Sequence, residues 1–135
     1  MTLDRLTKSS TPRGEEVRLE DSERVEVACQ WNGDSFALSV RDRFGSMNPL
    51  VTMLYLDRCL KLADARYNQI TGDSTGGGMG LFRVYSAVNC LVFNIQVNES
   101  SEVVAVYDIR RRFRDFKRWN KSIHFFVDGD IYDLV

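Results

Sequence analysis

The sequence predicts an α+β two-layer sandwich, an antiparallel or mixed sheet covered on one face by helices. Three observations predict it. Val25, Val27, Cys29 and Trp31 alternate before Asn32-Gly33, and Phe36, Leu38 and Val40 alternate after it, the pattern of a β-hairpin. Two stretches of helical period follow, over about 50–65 and 81–88. Leu91, Phe93, Ile95 and Val97 then alternate again, and 102–109 returns after Asn98-Glu99-Ser100-Ser101. Hairpins separated by helices place strands in one layer and helices in the other.

Residues 1–14 carry Ser9, Ser10, Pro12 and Gly14 and read as a flexible lead-in to a single domain over 15–135. Val17 and Leu19 alternate with charges, as in a short edge strand. In the hairpin, Glu26, Gln30, Ser35 and Ser39 lie on the opposite face from the apolar residues, so that face meets water. Asn48-Pro49 has the form of an N-cap followed by proline at the first helical position. The helix it opens runs to about Ala65, with Met53, Leu56, Leu60 and Ala63 as its inward stripe. Residues 66–78 form a loop, and Leu81, Val84, Tyr85 and Val88 give the second helix its buried side. Ser122–Val127 is the last strand, His124 within it a structural residue, and Asp128-Gly129-Asp130 a turn.

Composition bounds the function. At 135 residues the chain builds one core. A net charge of −1 supplies no overall field for nucleic acid or an anionic membrane. No apolar run approaches the ~18 residues of a membrane span, and the N-terminus lacks the apolar stretch of a signal peptide. Cys29, Cys59 and Cys90 are isolated in apolar surroundings and read as buried small hydrophobes in a reducing cytoplasm. One histidine and no CxxC pair argue against structural zinc.

The densest chemical signal is Ser74-Thr-Gly-Gly-Gly-Met-Gly-Leu-Phe82. Glycines at a helix start leave N–H groups open at the positive end of the helix dipole, which suits phosphate. Upstream, Asp42 closes a strand and is followed by Gly45. Together, over roughly 15–110, these features resemble the GHKL superfamily of histidine kinase-like ATPases, and in style its anti-sigma-factor serine kinases. The resemblance implies the Bergerat-type ATP-binding fold, with Asp42 receiving the adenine amine and Gly76, Gly78 and Gly80 forming the phosphate turn. Gly45 falls in the family's first glycine turn, which that family writes D-x-G-x-G. Here the turn reads Asp42-Arg43-Phe44-Gly45-Ser46, with Phe44 and Ser46 at the glycine positions. The family's upstream helix carrying E-x-x-x-N, whose Asn holds Mg²⁺, has no counterpart in this sequence, where the earliest Asn is Asn32, so the resemblance implies a Bergerat-type fold that is N-terminally incomplete.

Phosphoryl transfer relies on metal to neutralise developing charge, so no catalytic residue is assigned. The expectation is a bacterial signalling module with a degenerate nucleotide site, acting by contact with a regulatory protein partner. ATP or ADP would bind weakly, and Mg²⁺ only together with nucleotide. The alternative is a fragment of an active serine or histidine kinase whose E-x-x-x-N helix lies upstream of residue 1. A third reading is a homodimerisation domain without nucleotide. The basic extension from about 110 carries seven basic residues and three aromatics over 110–121. The i, i+3 spacing of Phe113 and Phe116 favours aromatics pinned to the body; an acidic protein partner, and less so nucleic acid, are the other readings.

Overall fold

The computed structural model describes residues 20–65, 79–110 and 120–130. A single 3₁₀ turn, Asp21–Glu23, leads in; Glu20 N–H donates to the Glu23 carboxylate at 2.9 Å, and Glu23 N–H to the Glu20 carbonyl at 2.9 Å. The elements that follow are β1 (Glu26–Trp31), β2 (Ser35–Asp42), α1 (Pro49–Ala65), α2 (Met79–Ala87), β3 (Cys90–Gln96), β4 (Ser100–Asp108) and β5 (Ser122–Asp128). They form an α+β fold with one mixed sheet in the order β1-β2-β4-β3-β5. The first four strands pair antiparallel, and β5 joins β3 in parallel.

The hairpin forms as expected, with one change of detail. Asn32 N–H donates to the Ser35 carbonyl at 3.2 Å, so the loop centres on Gly33-Asp34 rather than Asn32-Gly33. Gly33 has φ +92 while Asp34 does not enter the left-handed region, the φ pattern of a type II′ turn. Asn32 instead caps the loop, its Oδ1 accepting from Asp34 N–H at 3.1 Å and Ser35 N–H at 2.8 Å.

The α1 N-terminus is built as its sequence implies. Asn48 Oδ1 accepts from Leu50 N–H at 2.9 Å and Val51 N–H at 3.2 Å, with Pro49 at the first helical position. Its buried stripe is rotated from the one expected: Thr52, Leu56 and Cys59 are buried, whereas Met53 and Leu60 are exposed. Both stripes have helical spacing, and Thr52 joins the buried one because its hydroxyl donates to the Asn48 carbonyl at 2.9 Å, which satisfies it inside the helix. Ala63 lies outside the described side chains.

Strand registers sort the sheet into two faces. On one lie Val27, Cys29 and Trp31; Phe36, Leu38, Val40 and Asp42; Ser101, Val103, Ala105 and Tyr107; Leu91, Phe93 and Ile95; Ile123, Phe125 and Val127. The core forms there under α2, around Val88, Leu91, Phe93, Ile95 and Ala105, with Leu81, Tyr85 and Met47 packed on it. Val84, expected on the inward side of α2, is exposed. Phe93 stacks on Phe125 with centroids 4.7 Å apart, joining β3 to β5 through the register pair they form. α1 packs on α2.

Lys121, just before β5, closes the C-terminal end of α2. Its ammonium donates to the carbonyls of Tyr85 (3.0 Å), Ser86 (2.6 Å) and Val88 (3.1 Å), which the helix leaves unpaired. Burial lowers its pKa.

The cysteine expectation needs correction. Cys59 is buried and Cys90 half-buried, but Cys29 is exposed, because among the described residues nothing covers the apolar face where β1 and β2 lie. His124 is exposed on the face opposite the core, across from Val92. The lead-in, the Val17–Leu19 strand, the 66–78 loop and 111–119 of the basic extension lie outside the described residues. No helix among the described residues is long and apolar enough to cross a membrane.

Candidate functional site

Asp42 is the last residue of β2 and pairs with Ser101, which pairs in turn with Ile95 of β3. All three share the core face, at the end of the sheet where β2 and β3 finish and β4 begins. The Asp42 carboxylate is half-buried. Its Oδ1 accepts from Phe44 N–H at 3.0 Å and from Ser101 N–H at 3.3 Å. The first bond makes the Asx turn that ends the strand. Oδ2 makes no hydrogen bond among the described residues, so the side chain both shapes the turn and keeps one oxygen available.

Ser101 is 3% exposed, and its hydroxyl is buried with no hydrogen-bond partner among the described residues. An unpartnered buried hydroxyl costs about 1–3 kcal/mol, so such groups are uncommon and call for a reason. An Asp42 oxygen without a hydrogen bond among the described residues and the Ser101 hydroxyl thus lie on paired strands, on one face of the sheet. One accepts from an amine, and the other donates to a ring nitrogen or carbonyl. Sequence reading passes over Ser101 because it sits beside Asn98 and Glu99 and reads as turn; only the register across 59 residues places it next to Asp42.

Gly45 has a different setting from the one its place in the glycine turn implies. It is buried at φ +58, and its carbonyl accepts from Asn98 N–H at 3.1 Å. A Cβ there would overlap the Gln96 carbonyl oxygen and the backbone nitrogens of Asn98 and Glu99. Asn98 itself has φ 62 in the tight β3–β4 turn. Gly45 therefore lets the chain after β2 lie directly on that turn, which accounts for its identity without a ligand.

Gly80, in the first turn of α2, has the opposite setting. It is exposed, and a Cβ would meet nothing within 4 Å. Among the described residues no packing contact requires glycine there, although glycine inside a helix costs roughly 1 kcal/mol relative to alanine. Close approach of an outside group to the α2 N-terminus would supply the missing reason. Gly76 and Gly78 lie outside the described residues.

Behind the corner, on the opposite face of the sheet, polar side chains brace the same three strands. Glu102 of β4 accepts from Ser39 Oγ of β2 at 2.5 Å and from Asn94 Nδ2 of β3 at 2.8 Å. Those hydrogen bonds, and secondarily the Arg41 charge, hold the Glu102 carboxyl below its ordinary value of 4.5 against the effect of burial. Arg41 also donates to Gln96 Oε1 at 3.3 Å and Ser100 Oγ at 3.2 Å, and Ser100 Oγ donates to Gln96 Oε1 at 2.8 Å. These links hold β2, β4 and β3 in the register that sets Ser101 beside Asp42.

Comparison with protein-family models, curated proteins and solved structures finds no match to this chain.

Proposed function

We propose that this chain is a signalling protein on a GHKL-like fold that retains the adenine corner of a nucleotide site and works by contact with a regulatory protein partner. The observation that supports it is the free Asp42 oxygen beside the unpartnered Ser101 hydroxyl. An adenine edge offers the matching chemistry, an exocyclic amine to donate and a ring nitrogen to accept. Asp42 and Ser101 would hold and orient the base. Gly80 would let phosphate approach the α2 N-terminus, with Gly76 and Gly78 continuing that turn as the family resemblance implies.

The site is reduced rather than complete in this reading. Phe44 and Ser46 stand where the family keeps glycine, and Gly45 is committed to the β3–β4 turn. Bound nucleotide would supply phosphate charge, and Mg²⁺ would reach the chain only through that nucleotide. Contact with a protein partner, rather than bond cleavage, is the activity proposed.

Calorimetric titration with adenosine, Mg-ADP and Mg-ATP tests this. Dissociation constants of about 0.1–1 mM, worth roughly 4–5.5 kcal/mol, are expected for all three. Asp42→Asn keeps a carbonyl oxygen for Phe44 and Ser101 but turns the free oxygen into a donor, so it should abolish binding at an unchanged melting temperature. Binding that survives Asp42→Asn, or no binding by the unsubstituted chain, overturns the nucleotide part. Tight Mg-ATP binding with turnover would favour the kinase reading.

A further inference from the structure

We infer that the outer edge of β1 is a self-association surface, and that its occupant is β1 of a second copy of this chain. The inference stands apart from the nucleotide reading. β1 ends the sheet, and among the described residues it pairs only with β2. Asn32 and Ser35 form a hydrogen-bonded pair, so alternation makes Trp31–Phe36, Cys29–Leu38 and Val27–Val40 the non-hydrogen-bonded pairs. The N–H and C=O groups of Val27, Cys29 and Trp31 therefore point away from β2, as a row of open backbone groups.

The same three residues carry the part of the apolar face that no described residue covers. Val27 is 67% and Trp31 69% exposed, Cys29 is exposed, and Leu38 and Val40 continue the patch onto β2. Edge strands are ordinarily protected by lysine, proline or a bulge. β1 has none of these: it reads Glu-Val-Ala-Cys-Gln-Trp in unbroken register with β2. What completes this surface is an extended strand, apolar on one face and uncharged along its middle.

β1 itself meets that description. Antiparallel pairing about a two-fold axis at Ala28 or Cys29 sets odd residues opposite odd ones, so the apolar faces of both copies remain on one side of a continuous sheet. Charge agrees. Glu26, the one charged residue of β1, would oppose Gln30 or Asn32 of the other copy, and it is already paired with Arg43 at 2.8 Å. Pairing would satisfy the open backbone groups of both edges while leaving the joined apolar faces on one side of the sheet, the mark of a reversible dimer.

Two measurements on the whole chain test this. Sedimentation from about 5 to 500 µM should show a monomer–dimer equilibrium with a dissociation constant near ~10 µM. Val27→Lys and Trp31→Lys, both at solvent-facing positions, should raise it at least about tenfold at unchanged melting temperature, while Leu54→Lys on exposed α1 leaves it unaltered. Amide exchange of the unsubstituted chain should show the Val27, Cys29 and Trp31 N–H groups gaining protection with concentration, while Ala28 and Gln30 do not change. A monomer throughout the range, a dimer indifferent to lysine at 27 and 31, or concentration-dependent protection elsewhere overturns the proposal. Adenosine binding by Val27→Lys reports on the nucleotide site separately, so the two readings fail independently.

Discussion

Phe93 and Trp31 point to the same face of one sheet, yet Phe93 is fully buried and Trp31 is 69% exposed. Their strands have the same alternating pattern, and each aromatic sits among apolar neighbours. What differs is what lies above. α2 brings Leu81 and Tyr85 onto β3 and β4, and β5 flanks them with Ile123 and Phe125. The β1–β2 hairpin receives no such cover among the described residues, and its face stays open. One surface chemistry thus serves two purposes, cohesion in the middle of the sheet and a free surface at its β1 edge.

Substitutions along this gradient should rank accordingly. Phe93→Ala removes a fully buried ring and its stack on Phe125, and should cost about 3–5 kcal/mol by denaturant unfolding. A cost below ~1 kcal/mol would mean that the middle of the sheet is no better packed than the edge. Asp42→Ala removes the acceptor for two backbone N–H groups at the end of β2, for about 2–3 kcal/mol.

Glu102→Gln should cost about 1 kcal/mol at neutral pH, since a neutral amide cannot accept both bonds as the carboxylate does. The folded state lowers the Glu102 pKa, so its contribution is complete above the ordinary value of 4.5 and is lost as pH falls through the lowered folded value. The difference between the two proteins should therefore close in acid; a gap constant with pH would show that the charge is not its source.

Ser101→Ala should reverse the sign. Removing an unpartnered buried hydroxyl is expected to stabilise by about 1 kcal/mol while weakening adenosine binding. A destabilised Ser101→Ala would show that the hydroxyl has a partner in solution and is not held for a ligand. Smallest of all, Trp31→Ser should change monomer stability by less than about 0.5 kcal/mol, because little is lost where little is buried.

The candidate site was legible in pieces. Asp42 stands out at a strand end, and the turn that follows it is unusual enough to notice. Ser101 was invisible, because a second serine in Asn-Glu-Ser-Ser looks like turn until a register sets it against a residue 59 positions away. Gly45 and Gly80 look alike in sequence, and only their surroundings separate a glycine required by the β3–β4 turn from one with open space. The rotated stripe of α1 has the same origin: Thr52-Leu56-Cys59 and Met53-Leu56-Leu60 both fit a helix, and hydrophobicity alone prefers the wrong one.

By itself the sequence determined the local features: the hairpin about Gly33, the Asn48 cap, two helices and the alternating strands. These follow from φ preferences, side-chain capping and periods of 2 and 3.6, all of which act within a few residues. The tertiary structure decided the rest: β5 parallel at the far side of β3, Lys121 closing α2, Ser101 facing Asp42, and an apolar face buried at one end and open at the other. Period determines which face a side chain shares, but burial depends on which element packs above it, and that is a property of the whole chain.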